Sequence, residues 1–339
     1  MNYPWRHYGG DFGPTVWGSH HGVTTAPAEI AADFAALAAH GVEVVRWFLF
    51  TDARGGLRVD AAGWPAGLDP TAIADLDAAL DTAAAHDVRV VPVLFDHTLA
   101  FRATVMAGAL VGGHHRWLAD PDGQARVLNR VLSPVVSRYA PGGARADLAG
   151  AIDAWDLLNE PDWIVAELSP SPRLDRPIPF DVFAAWVRDA AAVVHGHGAR
   201  VTLGSARLRF AGWWDDPVLG LDYLQAHCYY DPAHDFDVAA TPAAALGLRR
   251  PLVVGECAGQ GDAADLARGR PALDVRALAA VARRGGYAGL WPWSWRGVDG
   301  HGAVARESLA AIAADSRELA PGYRIPTGAT SDSGQRSPS

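Results

Sequence analysis

Continuous apolar runs alternate with alanine-rich amphipathic segments along almost the whole chain. Runs such as VEVVRWFLF, VRVVPVLFD and PLVVGE show no regular polar alternation, which is typical of parallel strands covered on both faces. The segment PAEIAADFAALAAHG has a proline in its first turn and a glycine after its end, as many helices do. The pattern therefore predicts an α/β protein with a parallel sheet.

The number of these units indicates the architecture. Eight strand-like runs, most of them followed by a helical segment, favour a single (β/α)8 TIM barrel. We expect the barrel to span residues 1–325 and the polar segment 326–339 to be disordered. A doubly wound open sheet is the alternative, but the chain lacks the G-x-G-x-x-G turn that such folds normally carry. The predicted strands are the region around NYPW, then VEVVRWFLF, VRVVPVLFD, AIDAWDLLNE, RVTLGSA, LDYLQAHCY, PLVVGE and GYAGLWPWSW.

Composition and charge narrow the classes of partner. The 339 residues carry a formal net charge of -9 and no basic run, which argues against a nucleic-acid partner. No window approaches the roughly 20 apolar residues of a membrane span, and the first residues lack the apolar core of a secretion signal. Two cysteines, Cys228 and Cys257, do not suggest a disulfide framework. We expect a cytoplasmic protein, whose oligomeric state the sequence does not indicate.

The choice of charged residues is uneven. Every basic side chain other than histidine is an arginine, which excludes a Schiff-base lysine and a nucleotide site built on a P-loop lysine. Only seven of the 38 acidic residues are glutamates. A glutamate at the end of an apolar strand is therefore informative in this chain, and Glu160 and Glu256 both occupy such a position.

Polar and aromatic side chains gather at the predicted carboxyl ends of the strands, where TIM barrels place their active sites. The stretch WDLLNEPDW, residues 155–163, runs from an apolar strand directly into an amide and a carboxylate. An unpaired buried carboxylate is costly, so the strand-end glutamates are expected to have partners. The candidate residues at these ends are Arg46, His97, Asn159, Glu160, Ser205, His227, Tyr229, Glu256, Trp291 and Trp293.

Two glutamates that face each other suit the cleavage of a glycosidic bond. One carboxylic acid protonates the leaving oxygen, and a second carboxylate acts from across the sugar. Predicted strands four and seven lie opposite each other at the barrel mouth, so Glu160 and Glu256 can face one sugar ring. Arg46 would keep a nucleophilic carboxylate ionised. The many tryptophans, among them Trp5, offer aromatic faces for sugar stacking, although core packing explains some of them.

These motifs resemble those of glycoside hydrolase family 5, in the clan of retaining glycoside hydrolases with (β/α)8 barrels. NEP ends strand four, H-x-Y follows strand six, and a lone glutamate ends strand seven, all in the family's order. The run GYAGLWPWSW resembles the family's last strand. The resemblance spans nearly the whole barrel and implies a retaining, double-displacement mechanism.

The resemblance also implies individual roles. Glu160 would be the general acid/base and Glu256 the nucleophile, with Asn159 on the sugar 2-hydroxyl. Tyr229 would hydrogen-bond Glu256 beside Arg46, while His97 would contact the sugar and Trp293 would stack on it. The full set expected to bind substrate is Arg46, His97, Asn159, His227, Tyr229, Trp291, Trp293 and Trp5.

Other functions stay open at this point. A catalytically silent carbohydrate-binding barrel would keep the tryptophans, but it has no need for both glutamates. A transglycosidase would share every catalytic residue. A metal-dependent isomerase or lyase would need clustered ligands, and the pairs His20-His21 and His114-His115 lack metal-site spacing. We expect a hydrolase of small oligosaccharides or glycosides without a metal or cofactor; the sugar, the linkage and exo or endo action are not indicated.

Overall fold

The computed structural model describes residues 1–229, 238, 241–259, 275–297 and 303–319. In these residues a curled parallel sheet is surrounded by helices. The predicted tail, 326–339, and the predicted domain end at residue 325 lie outside the described residues.

Seven strands form the central parallel sheet, each hydrogen-bonded to the next along the chain. All seven fall within runs that the apolar pattern predicts as strands. The last of them is only two residues long, and Trp293 beyond it forms an isolated parallel bridge with Ala258. With strands numbered in chain order, the sheet consists of β1 (Val44–Phe48), β4 (Arg89–Asp96), β7 (Trp155–Asn159), β8 (Val201–Ser205), β9 (Leu224–His227), β10 (Leu252–Glu256) and β11 (Gly289–Leu290).

The first residues of the chain close this sheet into a barrel. Asn2 forms a parallel bridge with Arg46 of β1, and its backbone N–H donates to the Pro292 carbonyl at 3.0 Å. The N–H of Trp295 donates back to the Asn2 carbonyl at 2.9 Å. The region around NYPW therefore takes the first strand position, as predicted, although it is no more than a bridge.

The Asn2 side chain is a second tie across the same seam. Its amide nitrogen donates to the carbonyls of Gly255 and Trp291, each at 2.8 Å, and it is fully buried. Its oxygen lies 3.4 Å from Nη1 of Arg46. The Asn2 amide thus contacts Arg46 of β1 and Trp291 after β11, at the two edges of the sheet. It also contacts β10, the strand that carries Glu256.

Helices cover the outside of the barrel, and their ends carry the expected signals. Pro27 and Pro70 occupy the first helical turn, and Asp69 caps the second helix by accepting the Thr71 N–H at 2.8 Å. The helices are α1 (Pro27–Ala39), α2 (Pro70–Ala85), α3 (Arg116–Ala119), α4 (Pro121–Val127), α5 (Ser133–Tyr139), α6 (Phe180–Gly196), α7 (Val275–Arg284) and α8 (Arg306–Leu319). None of the helices in the described residues is long and apolar enough to cross a membrane.

The barrel interior is packed in layers, because inward side chains on a strand are two residues apart. The layer near the starts of the strands consists of Val91, Ala154, Tyr223, Val253 and Trp291. The layer near the strand ends consists of Phe48, Val93 and Trp293, with Trp5 and Tyr229 packed against it. Only the second layer faces the barrel mouth.

Two short hairpins extend the loops at the mouth. The hairpin of β2 (Leu57–Val59) and β3 (Pro65–Leu68) follows β1, and the hairpin of β5 (Thr104–Met106) and β6 (Ala109–Val111) follows β4. Neither hairpin is predicted by the apolar pattern, because their strands are only three or four residues long.

Candidate active site

Arg46 is the centre of a hydrogen-bond network at the carboxyl ends of the strands. Its fully buried guanidinium donates to Asp156 at 2.9 Å, to Glu256 at 2.6 Å and to Asn159 at 2.8 Å. The rigid fork of a guanidinium is well suited to holding several oxygens at fixed angles. Arg46 of β1 therefore sets the relative positions of side chains from two other strands, β7 and β10.

Glu256 ends β10, and only 4% of the residue is exposed. Its Oε1 accepts from Nη1 of Arg46, and its Oε2 accepts the Tyr229 hydroxyl at 2.9 Å. A register shift after Val254 brings Glu256 opposite His227 of β9. Both oxygens of this carboxylate are therefore held by neighbouring residues of the barrel.

Glu160 lies directly after β7, at a sharp turn. Its backbone has φ 53° and ψ 54°, a left-handed conformation that is costly for residues other than glycine. Pro161 also disfavours the ordinary helical conformation at this position. The Glu160 Oε2 accepts the indole N–H of Trp163 at 2.9 Å, and 16% of the side chain is exposed. Glu160 is therefore accessible from the mouth to a greater degree than Glu256.

His227 lies between the two carboxyl groups. Its Nδ1 is 2.8 Å from Oε1 of Glu160 and 3.5 Å from Oε1 of Glu256. A carboxylate oxygen of Glu160 lies within 4.8 Å of one of Glu256. This short spacing matches the roughly 5–5.5 Å of retaining glycosidases better than the wider gap of inverting ones.

The pKa values of the two glutamates are shifted in opposite directions. Burial raises the pKa of Glu256, and the charges of His227 and Arg46 offset only part of that effect. Burial also acts to raise the pKa of Glu160, but its hydrogen bond to His227 and the charges of His227 and His97 outweigh burial and lower it. Because the groups are so close, they titrate as a coupled pair.

Asp96, the last residue of β4, connects Asn159 with His97. Its Oδ2 accepts the Asn159 amide at 2.8 Å and lies 3.3 Å from Nδ1 of His97. Burial acts to raise the pKa of Asp96, but the His97 charge and hydrogen bonds from His97 and Thr98 lower it. Nδ1 of His97 is also 3.7 Å from Oε2 of Glu160. An ionised Asp96 thus orients an amide and an imidazole beside Glu160.

Asp162 fixes the turn that carries Glu160. It is fully buried, and it accepts the Ser205 hydroxyl at 2.8 Å, the Ala206 N–H and the Trp214 indole N–H at 3.2 Å. Burial raises the pKa of Asp162 to about 6. Ser205, expected at the site, therefore directs its hydroxyl toward this anchor.

The predicted aromatic residues divide between the mouth and the interior. The rings of Trp293 and Trp5 pack edge to face with their centroids 5.5 Å apart, and both contact Phe48. Trp5 also packs against Tyr8, with centroids 4.7 Å apart. These two tryptophans form one wall at the level of the glutamates.

Trp291 lies one layer deeper than Trp293, where it packs with Tyr223 and Val253 near the starts of the strands. A residue two places before Trp293 shares its face of the strand but not its depth in the barrel. The expected contact between Trp291 and substrate stays a prediction.

Three residues of the site do not stand out in the sequence. Asp96 and Asp156 are buried partners of His97 and Arg46, but aspartate is common in this chain, so neither carries a distinctive signal. Trp163 binds Glu160, and its place three residues after the glutamate in WDLLNEPDW is the only available clue.

A metal ion could be held by one cluster among the described residues. Ligand atoms of Glu160, His227 and Glu256 lie within 4.8 Å of one another. Arg46 donates to the same Glu256 oxygen that faces His227, and a fixed guanidinium opposes a second cation there. The donor set is therefore better suited to sharing a proton than to binding a metal.

Known proteins give a likeness in structure only. No protein-family model matches the sequence, and no curated protein matches it. Among solved structures, the chain is similar to an endo-1,4-β-mannanase from Eisenia fetida, at 21% identity over 92% of this chain and 89% of that one, with a TM-score of 0.71. It is similar to a β-1,4-mannanase from the sea hare Aplysia kurodai at 20% identity, with coverage of 95% and 93% and a TM-score of 0.71.

A glycoside hydrolase family 5 mannosidase from Rhizomucor miehei is also similar, at 14% identity over 94% of this chain and 92% of that one, with a TM-score of 0.57. The chain shares the barrel fold of these glycoside hydrolases, one of which belongs to family 5. The predicted (β/α)8 barrel is confirmed, and so is the resemblance to this family at the level of fold. A shared fold does not fix a reaction, so the reaction is argued from the site.

Proposed function

We propose that the protein is a retaining β-glycosidase that cleaves β-mannosidic bonds with Glu160 and Glu256. The observation that carries the proposal is the pair of carboxyl groups with oxygens within 4.8 Å of each other at the barrel mouth. Glu256 is held by an arginine and a tyrosine and is almost fully buried, while Glu160 is partly exposed beside two histidines. Two carboxyl groups in such different settings are suited to two different roles.

Glu256 is the nucleophile in this proposal. Its carboxylate attacks the anomeric carbon as the bond from that carbon to the leaving oxygen breaks, and Glu160 gives its proton to the leaving oxygen. The products are an α-linked glycosyl ester on Glu256 and a free alcohol. Arg46, at 2.6 Å, and the Tyr229 hydroxyl, at 2.9 Å, orient Glu256 and favour its ionised form.

Glu160 acts a second time in the next step. Its carboxylate accepts a proton from water, and the water oxygen attacks the anomeric carbon and displaces Glu256. Two displacements at one carbon retain its configuration. His227, 2.8 Å from Glu160, is placed to adjust the charge of Glu160 between its acid and base roles.

The reaction requires Glu256 to be ionised and Glu160 to be protonated. In the protein without substrate the pKa of Glu256 is raised and that of Glu160 is lowered, so the order of the two pKa values must change when substrate binds. A sugar bound over Glu160 supplies the change. It would cover the exposed 16% of that side chain, and further desolvation raises the pKa of a carboxyl group. Because the two groups are coupled, a proton held on Glu160 favours ionisation of Glu256.

The sugar class is proposed from the similar structures. The Eisenia and Aplysia proteins are β-mannanases and the Rhizomucor protein is a mannosidase. The two carboxyl groups support a glycoside as substrate, but the site by itself does not distinguish mannose from glucose. The proposal of mannose therefore rests on the similar structures. A β-mannoside is therefore the first substrate to test.

The test is hydrolysis of 4-nitrophenyl β-glycosides of mannose, glucose, galactose and xylose by the purified protein. We expect turnover of the β-mannoside with β-mannose as the first product, detected by NMR. Azide should form the α-mannosyl azide with Glu256→Ala and the β-mannosyl azide with Glu160→Ala, because each small anion replaces a different carboxylate. An α-mannose first product, or the reverse pairing of azides, would overturn the assignment of roles.

A further inference from the structure

The leaving group must lie on the Glu160 side of the site, because Glu160 protonates the leaving oxygen. Glu160 binds the indole N–H of Trp163 at 2.9 Å. The His97 ring lies between Trp163 and Phe101, with centroid distances of 6.3 Å and 5.1 Å. These three rings form a wall next to Glu160, which we call the leaving-group wall.

The loops that carry this wall are fastened to each other. The N–H of Arg102 donates to the Arg173 carbonyl at 3.0 Å, and the Arg102 guanidinium donates to the carbonyls of Pro172 and Leu174, each at 2.9 Å. The Ser171 N–H donates to the Trp163 carbonyl at 2.8 Å. The wall is therefore a built surface rather than a chance meeting of two loops.

Two guanidinium groups cover the rings of the leaving-group wall. The Arg207 carbon Cζ lies 5.0 Å from the Trp163 ring centre, and that of Arg173 lies 4.7 Å from the Phe101 ring centre. Among the residues that the structure describes, neither group forms an ion pair with a carboxylate. Arg54, which lies over the Tyr8 ring, does have such a partner in Asp52.

We propose that the leaving-group wall binds a carboxylate on the leaving group, through Arg207 and Arg173. This inference rests on the proposed glycosidase function and specifies its substrate. A guanidinium stacked on an aromatic face is held in one plane, so its outer N–H groups remain aligned for two parallel hydrogen bonds to a carboxylate. In a chain with a net charge of -9, guanidinium groups that have no carboxylate partner favour anions beside them.

Two substrate types would present this carboxylate: a uronic acid linked through one of its hydroxyl groups, and an aromatic acid linked through a phenolic oxygen. The charge and the planar anion are common to both. They differ in whether a second sugar ring or an aryl ring packs on Trp163, so both types enter the test.

The experiment measures kcat/KM for 4-carboxyphenyl β-mannoside and for its neutral analogue, 4-carbamoylphenyl β-mannoside, on the same enzyme preparation. The quantity of interest is the ratio of the two values, in which folding and the intrinsic activity of a variant cancel. We expect the ratio to fall about five- to tenfold in Arg207→Gln, and to fall less in Arg207→Lys, which keeps the charge but not the fork. Rising salt should reduce the ratio in the wild type.

Arg188→Gln is the matched control. Arg188 is an exposed arginine of α6, paired with Asp189 and outside the leaving-group wall. Its substitution should leave the ratio at the wild-type value. Arg173→Gln tests the second guanidinium in the same assay, and β-mannosyl-(1→4)-glucuronic acid compared with β-mannosyl-(1→4)-glucose tests the uronic acid.

Each outcome decides the inference. A higher ratio in the wild type that is lost in Arg207→Gln and kept in Arg188→Gln supports it, and the substrate pair with the larger effect identifies the source of the carboxylate. Equal ratios in wild type and variants overturn it while leaving the glycosidase intact. If no β-glycoside of the earlier panel is hydrolysed, the proposed function fails and the inference falls with it.

Discussion

The two glutamates occupy contrasting surroundings, although both end a strand of the same barrel. Glu256 is held by Arg46 of β1 and by Tyr229, and almost none of it is exposed. Glu160 sits on a left-handed turn, and its carboxylate contacts Trp163 from a loop and His227 from a strand. Each glutamate thus has one partner on a strand and one after a strand end, and the contrast lies in position: Glu256 is the buried last residue of a strand, whereas Glu160 lies on a partly exposed turn.

Under the proposed function, this difference teaches how one barrel gives two roles to one residue type. A nucleophile must approach carbon along a narrow direction, so fixation by strand residues is an advantage. An acid that later becomes a base must change its charge twice, so partial exposure and a nearby imidazole suit it. The following changes test whether the contrast in surroundings is a contrast in function.

Replacement of Glu160 should cause the largest loss of kcat/KM, and the size of this loss should depend on the leaving group of the substrate. In Glu160→Ala, kcat/KM for substrates with poor leaving groups should fall by a factor on the order of 10²–10⁴, because no acid protonates the leaving oxygen. With 2,4-dinitrophenyl β-mannoside, the fall in kcat/KM should be slight. An equal loss of kcat/KM for both kinds of leaving group would show that Glu160 is not the general acid.

Arg46→Met removes the strand residue that holds Glu256. We expect activity to fall by a factor on the order of 10²–10³, since the carboxylate of Glu256 loses its main donor. The free energy of unfolding at pH 7 should fall by about 3–5 kcal/mol, because Asp156 and Glu256 are left buried without a counter-ion. Urea unfolding measures the second effect. Unchanged stability would contradict the network described around Arg46.

Gly204→Ala tests the crowding behind the site. A methyl group there would lie 2.9 Å from Nε2 of His227 and 3.0 Å from Nη2 of Arg46, so both side chains must shift. A displacement of this kind should lower kcat by about tenfold or more while the protein stays folded. Gly212→Ala is the control, because its methyl group meets nothing within 4 Å. Equal activity of both variants would contradict the prediction.

Tyr229→Phe should give the smallest change, in the pH profile. The Tyr229 hydroxyl lowers the pKa of Glu256, which burial raises; its removal should raise that pKa further. Since Glu256 attacks only when ionised, the acid limb of kcat should move to higher pH, by up to about 1 pH unit, for a substrate with a poor leaving group whose cleavage limits turnover. The profile of kcat is the one to measure, because it reports the pKa values of the substrate complex. A shift toward lower pH would have the wrong sign.

The sequence predicts the fold well because the barrel strands are long, continuous apolar runs. Glu160 and Glu256 could be found because such runs lead directly into rare glutamates. Asp96 and Asp156 could not, since their importance comes from Asn159, His97 and Arg46, which only the closed barrel brings near.

The features that the sequence does not predict have equally specific causes. Trp291 and Trp293 share a period of two, and period gives the face of a strand but not the depth in the barrel. The hairpins that follow β1 and β4 contain too few residues for a recognisable alternation. Trp163, Arg173 and Arg207 lie in loops. The path of a loop is determined by tertiary contacts, such as those of Arg102.

The amide of Asn2 has a consequence for the order of events during synthesis. Its two carbonyl partners lie 253 and 289 residues further along the chain, and its oxygen faces the guanidinium that orients Glu256. Contacts between such distant residues form late, because a very long loop must close first. A nascent chain still attached to the ribosome before residue 291 has emerged cannot complete this seam, so the surroundings of Glu256 are assembled only after these distant segments have met.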